Sequence, residues 1–107
     1  MNTLRFPWRT RRILTPHPIH VQAKNGLGTV IGEAYGMTDG GVTYLTDMAV
    51  DESVRGFGYG RLLMEKFIER AGNTTIILMT DGAEGFYAKF GFIERIAMIR
   101  RPMPCAE

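Results

Sequence analysis

The spacing of apolar and polar residues changes along the chain, and the first part has the short period of β-strands. Residues 19–23, 28–35 and 42–50 are three strand-like segments rich in apolar side chains. Asn25-Gly26 predicts a tight hairpin with positive φ between the first two, and the cluster at residues 38–41 predicts a second turn. Because connections this short cannot join parallel strands, we expect an antiparallel meander.

A helical period replaces the strand period after residue 50. Residues 60–71 carry apolar side chains on one face, namely Leu63, Phe67 and Ala71, and Gly72 ends the segment. Residues 75–79 then form a continuous apolar run, which is typical of a strand buried on both faces and parallel to its neighbour. The order strand, helix, strand predicts a right-handed crossover that places residues 75–79 beside residues 42–50.

The last part of the chain predicts one more helix and one more strand. Residues 83–90 fit a short helix that ends at Gly91, and residues 92–100 fit a final strand. The expected fold class is therefore α/β. An antiparallel meander is followed by the strand-helix-strand crossover, a second helix and the final strand, all in one mixed sheet.

Length and composition agree with one globular domain. The chain has 107 residues, of which 45% are hydrophobic and 22% are charged, as in ordinary globular proteins. No apolar run reaches the roughly 18 residues that a membrane span needs, so a membrane protein is not expected. Residues 1–18 have no sustained period and contain four arginines. We expect an irregular basic arm there and a folded domain over residues 19–107.

Charge and cysteine content narrow the partners and the location. The formal net charge of +2 is too small to predict nucleic-acid binding, even with the arginines of the arm. Because Cys105 is the single cysteine, no internal disulfide is expected. It directly follows Pro104 and has no neighbouring base to activate it, so a cysteine nucleophile is not expected either. His17 and His20 lack a third ligand at metal spacing, so no metal site is expected. These features predict a reducing, cytoplasmic location.

The glycine-rich segment Arg55-Gly56-Phe57-Gly58-Tyr59-Gly60 carries the clearest chemical signal. It opens the predicted helix, where backbone N–H groups lack intrahelical partners and the helix dipole is positive. Glycines let a phosphate approach the main chain, so the segment predicts an anion site suited to a pyrophosphate. Its spacing departs from both the dinucleotide fingerprint and the P-loop.

Two motifs that follow one another along the chain resemble motifs of the GNAT superfamily of acyl-CoA-dependent N-acetyltransferases. The first is the Arg-x-x-Gly-x-Gly pattern of residues 55–60, preceded by the strand at residues 44–51. The second is Phe86-Tyr87-Ala88-Lys89-Phe90-Gly91-Phe92, which is similar to the family's Phe-Tyr-x-Lys-x-Gly-Phe helix-to-strand motif. The resemblance covers residues 19–101 and is closest to small bacterial members, here with a shortened N-terminus.

The resemblance implies acetyl-CoA as co-substrate and a set of residues that bind it. Backbone amides at the start of the helix would hold the coenzyme A pyrophosphate. The preceding strand would diverge from its neighbour and pair with the pantetheine. The implied binding residues are Met48, Ala49, Val50, Arg55, Gly56, Phe57, Gly58, Tyr59, Gly60 and Arg61.

The resemblance also implies two catalytic residues. Tyr87 matches the tyrosine that protonates the departing thiolate of coenzyme A, a task that needs a hydroxyl donor within hydrogen-bond reach. Asp47 is a candidate to receive the proton of the acceptor amine, with a surface ion pair as an equal alternative. Glu33 is a second candidate base, for which a solvated surface position is favoured. Without a cysteine nucleophile, direct transfer in a ternary complex is the expected mechanism.

The expected function is an N-acetyltransferase that moves an acetyl group from acetyl-CoA to a primary amine of a small molecule or peptide. The alternative is a non-catalytic coenzyme A-binding or interaction module. It arises because family members normally begin with a strand and two helices, for which residues 1–18 are too short. An edge strand left uncovered by such helices predicts a homodimer.

Overall fold

The structure is a computed structural model that describes residues 16–102. Residues 1–15 and 103–107 lie outside the described residues, and with them most of the predicted arm and Cys105. The elements follow in the order β1 (His17–Lys24), β2 (Val30–Thr38), β3 (Val42–Val50), a single turn of 3₁₀-helix (Glu52–Val54), α1 (Tyr59–Ala71), β4 (Thr75–Leu78) and α2 (Glu84–Ala88).

The four strands form one mixed sheet in the order β1-β2-β3-β4. β1, β2 and β3 are antiparallel neighbours, which confirms the predicted meander. β4 pairs with β3 in parallel, which confirms the predicted neighbour across the helical crossover. The α/β fold class expected from the periods of the sequence is therefore correct.

Helix α1 covers one face of the sheet and supplies the centre of the core. Its buried stripe consists of Leu63, Met64, Phe67 and Ala71, as the helical period predicted. The stripe packs against Ile19, Val21 and Ala23, which alternate along β1, and against Ile31 and Ala34 of β2. The opposite face carries His20 and Gln22 of β1 and Tyr35 of β2, which are exposed. The sheet therefore has an apolar face covered by α1 and a polar face.

A β-bulge divides β3 into two halves. Gly36 of β2 lies opposite Leu45, whereas the preceding Tyr35 lies opposite Asp47. Thr46 is therefore the extra residue of the bulge, and its hydroxyl donates a hydrogen bond of 3.2 Å to the carbonyl oxygen of Tyr35. Because of the bulge, Leu45 lies in the core while Asp47 joins Tyr35 on the polar face.

The connection between β1 and β2 differs from the predicted tight hairpin. Residues 25–29 separate the two strands, and the positive φ occurs at Gly28 (83°), not at Asn25 or Gly26. The side-chain oxygen of Asn25 accepts hydrogen bonds from the N–H groups of Leu27 (2.9 Å) and Thr29 (3.0 Å). These bonds stabilise a longer loop in place of a two-residue turn.

The predicted final strand at residues 92–100 was wrong: these residues pair with no described part of the chain. Ile96 and Met98 are 101% and 98% exposed. Apolar spacing indicates that a segment suits a strand, but a strand forms only where a neighbouring edge completes its hydrogen bonds. The prediction that residues 75–79 are buried on both faces was also wrong, since Ile77 and Met79 are 40% and 73% exposed.

Candidate functional site

A cleft opens where β3 and β4 part. The two strands pair from Val42 and Thr75 as far as Leu45 and Leu78, and β3 then continues to Val50 without this partner. The point of separation coincides with the bulge at Thr46. The cleft has a volume of about 290 Å³, and its walls include Thr46, Asp47, Met48, Thr80, Asp81, Ala83 and Tyr87. Beyond the bulge, no described strand pairs with β3 on the β4 side, and its main-chain groups there are open to a ligand, apart from the Val50 carbonyl that Arg55 contacts.

Tyr87 reaches this cleft from α2. Its ring packs edge-on against Phe86 (centroids 5.1 Å apart) and Phe92 (5.8 Å), which fixes the ring at the cleft wall. Desolvation raises the pKa of Tyr87, and the negative charge of Asp47 raises it further. The hydroxyl therefore keeps its proton to higher pH than an ordinary tyrosine.

The start of α1 presents unpaired backbone N–H groups. The first helical hydrogen bond runs from Leu62 N to Gly58 O (3.1 Å), and Gly58 makes no side-chain cap. The amides of Tyr59, Gly60 and Arg61 have no hydrogen-bond partner within residues 16–102. The free amides and the helix dipole make this end of α1 electropositive.

Two glycines shape the main chain ahead of these amides. Gly56 (φ 88°) and Gly58 (φ 87°) have left-handed conformations that L side chains rarely adopt, and a Cβ at either would meet no atom within 4 Å. The approach to the free amides is therefore open. The turn before them is held by Asp51, whose carboxylate accepts hydrogen bonds from the N–H (2.9 Å) and hydroxyl (2.8 Å) of Ser53. These bonds lower the pKa of Asp51.

The helix start and the cleft are neighbours. A Cβ built on Gly60 would lie 3.5 Å from Phe86 Cε1 and 4.0 Å from Met48 Cε. Phe86 precedes Tyr87 in α2, and Met48 lines the cleft. The tertiary structure therefore brings the two motifs together, so that an elongated ligand could contact both the free amides and the cleft.

The remaining residues that the sequence predicted for the site lie around the cleft and the start of α1. Arg55 donates a hydrogen bond from Nε to the carbonyl oxygen of Val50 (3.4 Å), and Arg61 pairs with Glu65 on the helix surface (3.3 Å). The Phe57 side chain is 76% exposed. Ala49 and Val50 line a second hollow, of about 240 Å³, together with Glu33.

The structure also reveals a polar cluster that sequence reasoning missed. The carboxylate of Glu33 accepts a hydrogen bond from Gln22 (3.0 Å), contacts His20 Nε2 (3.2 Å) and accepts one from the Tyr35 hydroxyl (3.4 Å). The bond from Gln22 contributes most to a lowered pKa of Glu33. The rings of His20 and Tyr35 stack with centroids 4.1 Å apart. His20 lies opposite Tyr35 because of the register between β1 and β2. The turn sets this register, and the sequence alone did not predict the turn that the structure has.

Within residues 16–102, no group of three or more His, Cys, Asp or Glu side chains is arranged to hold a metal ion. No helix in this part of the chain has the length and apolar character needed to cross a membrane.

Comparison with known proteins identifies the family. A family model for the acetyltransferase (GNAT) domain matches residues 16–94, well over half of the chain. The chain therefore belongs to the GNAT acetyltransferase family. No curated protein sequence matches it.

Solved structures agree with this membership. A protein of Deinococcus radiodurans R1 assigned as an acetyltransferase is 27% identical with a TM-score of 0.71, over 77% of this chain and 59% of that one. A protein of Xanthomonas campestris pv. campestris assigned to the GNAT family is 25% identical with a TM-score of 0.71, over 82% and 66%. An acetyltransferase from Bacillus cereus ATCC 14579 is 29% identical with a TM-score of 0.61, over 70% and 57%. The chain thus spans less than two thirds of the length of each.

Proposed function

We propose that this chain is an acetyl-CoA-dependent N-acetyltransferase that acetylates a primary amine of a small molecule or peptide by direct transfer in a ternary complex. The observation that carries the proposal is the cleft between the diverging β3 and β4. It contains Asp47 and Tyr87 and adjoins the free amides at the start of α1.

The proposed coenzyme site follows the main chain from the helix to the cleft. The amides of Tyr59, Gly60 and Arg61 would bind the pyrophosphate, with Gly56 and Gly58 leaving the approach open. The backbone of residues 48–50 would pair with the pantetheine, since within residues 16–102 no strand pairs with this part of β3 on the β4 side. Arg55 and Phe57 flank the turn, and we assign them supporting contacts only.

The proposed chemistry uses one residue on each side of the cleft. When bound, acetyl-CoA supplies a thioester carbonyl, and the neutral acceptor nitrogen forms a bond to its carbon as the carbon–sulfur bond breaks. Tyr87 would donate its proton to the departing sulfur, since its hydroxyl is protonated at neutral pH. Asp47 would take the proton released from the nitrogen, directly or through a water molecule. A proton passing from Asp47 to Tyr87 through solvent would then restore both residues for the next turnover.

The polar face supports an acceptor that carries a positively charged group besides the attacking nitrogen. Asp47 lies directly opposite Tyr35, and Tyr35 in turn contacts Glu33 and stacks on His20. Two carboxylates and an aromatic surface favour a positively charged group. Of the two candidate bases, Asp47 lines the cleft with Tyr87, whereas Glu33 is held by three neighbouring side chains outside it.

The proposed coenzyme site is tested by isothermal titration with acetyl-CoA. Gly58→Asp places a negative charge where the phosphates would bind, and the isosteric Gly58→Asn is the matched control with nearly the same backbone strain. We expect Gly58→Asp to abolish detectable binding and Gly58→Asn to retain most of it. A folded wild-type chain that fails to bind, or equal affinity in the two variants, would overturn the proposed site.

The proposed proton donor is tested by Tyr87→Phe, which keeps the ring contacts with Phe86 and Phe92. We expect kcat for coenzyme A thiol release, with a panel of diamines as acceptors, to fall by about 10²-fold or more. Affinity for acetyl-CoA should stay unchanged. Wild-type binding without turnover on any acceptor would favour the non-catalytic coenzyme A-binding module. Unchanged kcat in the variant would exclude Tyr87 as the donor.

The cytoplasmic location is likewise a proposal, supported by the single cysteine of the chain. It is tested by fractionating cells that express the chain from its own gene.

A further inference from the structure

The face of the sheet on which Asp47 lies depends on one extra residue in β3. From the turn at residues 39–41, β2 and β3 pair in regular order as far as Gly36 and Leu45. Continued without a break, this order would place Asp47 opposite Ala34, which is fully buried beneath α1. The turn alone would therefore direct the Asp47 carboxylate into the core.

The apolar side chains that follow Asp47 oppose this register. With Thr46 as the extra residue, Met48 lies opposite Ala34. Met48 and Val50 then both pack against the core. Burying these two apolar side chains is favourable, whereas burying an unpaired carboxylate is costly. The apolar pattern thus requires a bulge ahead of Asp47, but it does not determine how firmly the bulge is held.

The hydroxyl of Thr46 holds the bulge in place. A bulge leaves its extra residue outside the regular ladder of backbone hydrogen bonds, so the ladder does not fix the strand there. Thr46 Oγ1 donates a hydrogen bond of 3.2 Å to the carbonyl oxygen of Tyr35, the residue opposite Asp47. Because a threonine side chain has few χ1 rotamers, this bond ties β3 to β2 within one residue of the carboxylate.

The bulge also determines where Asp47 lies relative to Tyr87. The pairing of β3 with β4 ends at Leu45 and Leu78, directly before Thr46, and the cleft opens there. Burial raises the pKa of Tyr87, and the negative charge of Asp47 raises it further, so the carboxylate acts on the hydroxyl across the cleft. This interaction weakens with distance, and a displacement of the bulge would therefore reduce it.

We propose that Thr46 is a positioning residue, whose hydroxyl holds the β3 bulge in the register that places the Asp47 carboxylate across the cleft from Tyr87. Thr46 acts through Asp47, since its hydroxyl proton is donated to the Tyr35 carbonyl. This role rests on the proton-accepting function proposed for Asp47. Failure to bind acetyl-CoA would refute the proposed function, whereas the position of Asp47 is measured in the chain without any ligand.

The test measures how strongly Asp47 acts on Tyr87 in the full-length chain. A pH titration of the Tyr87 Cζ resonance by carbon NMR gives the change in pKa that Asp47→Asn causes. This change is compared in the wild type, in Thr46→Val, which keeps the branched shape without the hydroxyl, and in Thr46→Ser, which keeps the hydroxyl. We expect Thr46→Val to reduce the change by about half or more, because the carboxylate is no longer held in place, and Thr46→Ser to retain most of it.

Thr38→Val is the matched control, because it removes a comparable hydroxyl from the same pair of strands. Thr38 Oγ1 donates a hydrogen bond to the carbonyl oxygen of Val42 (3.4 Å) and accepts one from the buried Thr43 hydroxyl (2.9 Å). We expect Thr38→Val to lower the urea midpoint at least as much as Thr46→Val does, but to leave the NMR result unchanged. A loss of stability is thereby separated from a loss of positioning.

Turnover provides a second readout. Where an acceptor is acetylated, kcat of Thr46→Val should fall by about 10-fold or more, because a misplaced base accepts the proton less efficiently. Thr46→Ser and Thr38→Val should stay close to the wild type. Circular dichroism verifies that each variant is folded, and Thr46→Ala, which also lacks the hydroxyl, takes the place of Thr46→Val if that variant does not fold.

Four outcomes would overturn the proposal. An undiminished effect of Asp47 on Tyr87 in Thr46→Val shows that the hydroxyl is not needed. An equal reduction in Thr46→Ser or in Thr38→Val assigns the effect to a general loosening of the sheet. No effect of Asp47→Asn in the wild type means that the carboxylate does not lie across the cleft from Tyr87. An unchanged kcat in Thr46→Val, beside an active wild type, separates the bulge from catalysis.

Discussion

Replacing Gly36 with alanine tests the packing that supports the bulge. A Cβ at this position would lie 2.7 Å from Phe67 Cε2, and closer still to Phe67 Cζ and to the carbonyl oxygen of Tyr44. Two carbon atoms pack best at about 3.5–4.0 Å, so the ring would have to retreat by about 1 Å. It has little room, because Phe67 is 0% exposed and the Tyr44 carbonyl belongs to the paired part of β3.

The expected cost of Gly36→Ala is about 1–3 kcal/mol of unfolding free energy, as for other overpacked cores. With a urea slope of about 1–2 kcal/mol/M for a small domain, the midpoint should fall by roughly 1 M. Urea unfolding followed by circular dichroism measures it. The control is Gly26→Ala, where a Cβ meets no atom within 4 Å and φ is not positive. That variant should be as stable as the wild type or more so, by about 0.4–1 kcal/mol. If Gly36→Ala matched its control, the close packing of β2 against Phe67 would be refuted.

Two further predictions concern titrating groups. Asp47→Asn should lower the pKa of Tyr87, because it removes the neighbouring negative charge. A pH titration of the Tyr87 Cζ resonance by carbon NMR measures this pKa. An unchanged titration would mean that the two side chains do not share the cleft. The pKa of Asp51 is lowered in the folded chain, so its ionised form stabilises the fold above the unfolded value of about 3.9, and this contribution disappears as the pH falls through the folded value. Asp51→Asn should therefore make the unfolding free energy fall less steeply between about pH 5 and pH 2 in acid titrations, and an equally steep fall would assign the acid sensitivity to other carboxylates.

Local patterns in the sequence determined most of the elements. The turn cluster at residues 38–41 separates β2 from β3, and the apolar stripe of α1 is the buried one. The parallel pairing of β4 with β3 was predictable because parallel neighbours need a long crossover connection, and a predicted helix lies between these two strands. The sequence also contains both motifs that resemble those of the family, and a family model matches residues 16–94. Each of these features depends on residues that are close together in the sequence.

Tertiary structure decided how the candidate site is assembled. The bulge at Thr46 depends on the register between β2 and β3, and it places Asp47 on the polar face opposite Tyr35. The contact of Gly60 with Phe86 brings the helix start beside the cleft. Tertiary structure also decided whether residues 92–100 form a strand. Their apolar spacing suits a strand, but a strand needs a partner edge, and only the assembled sheet shows which edges of the described strands are paired. Periodicity reports which face of a segment is apolar, whereas pairing is a property of two segments and requires their positions in space.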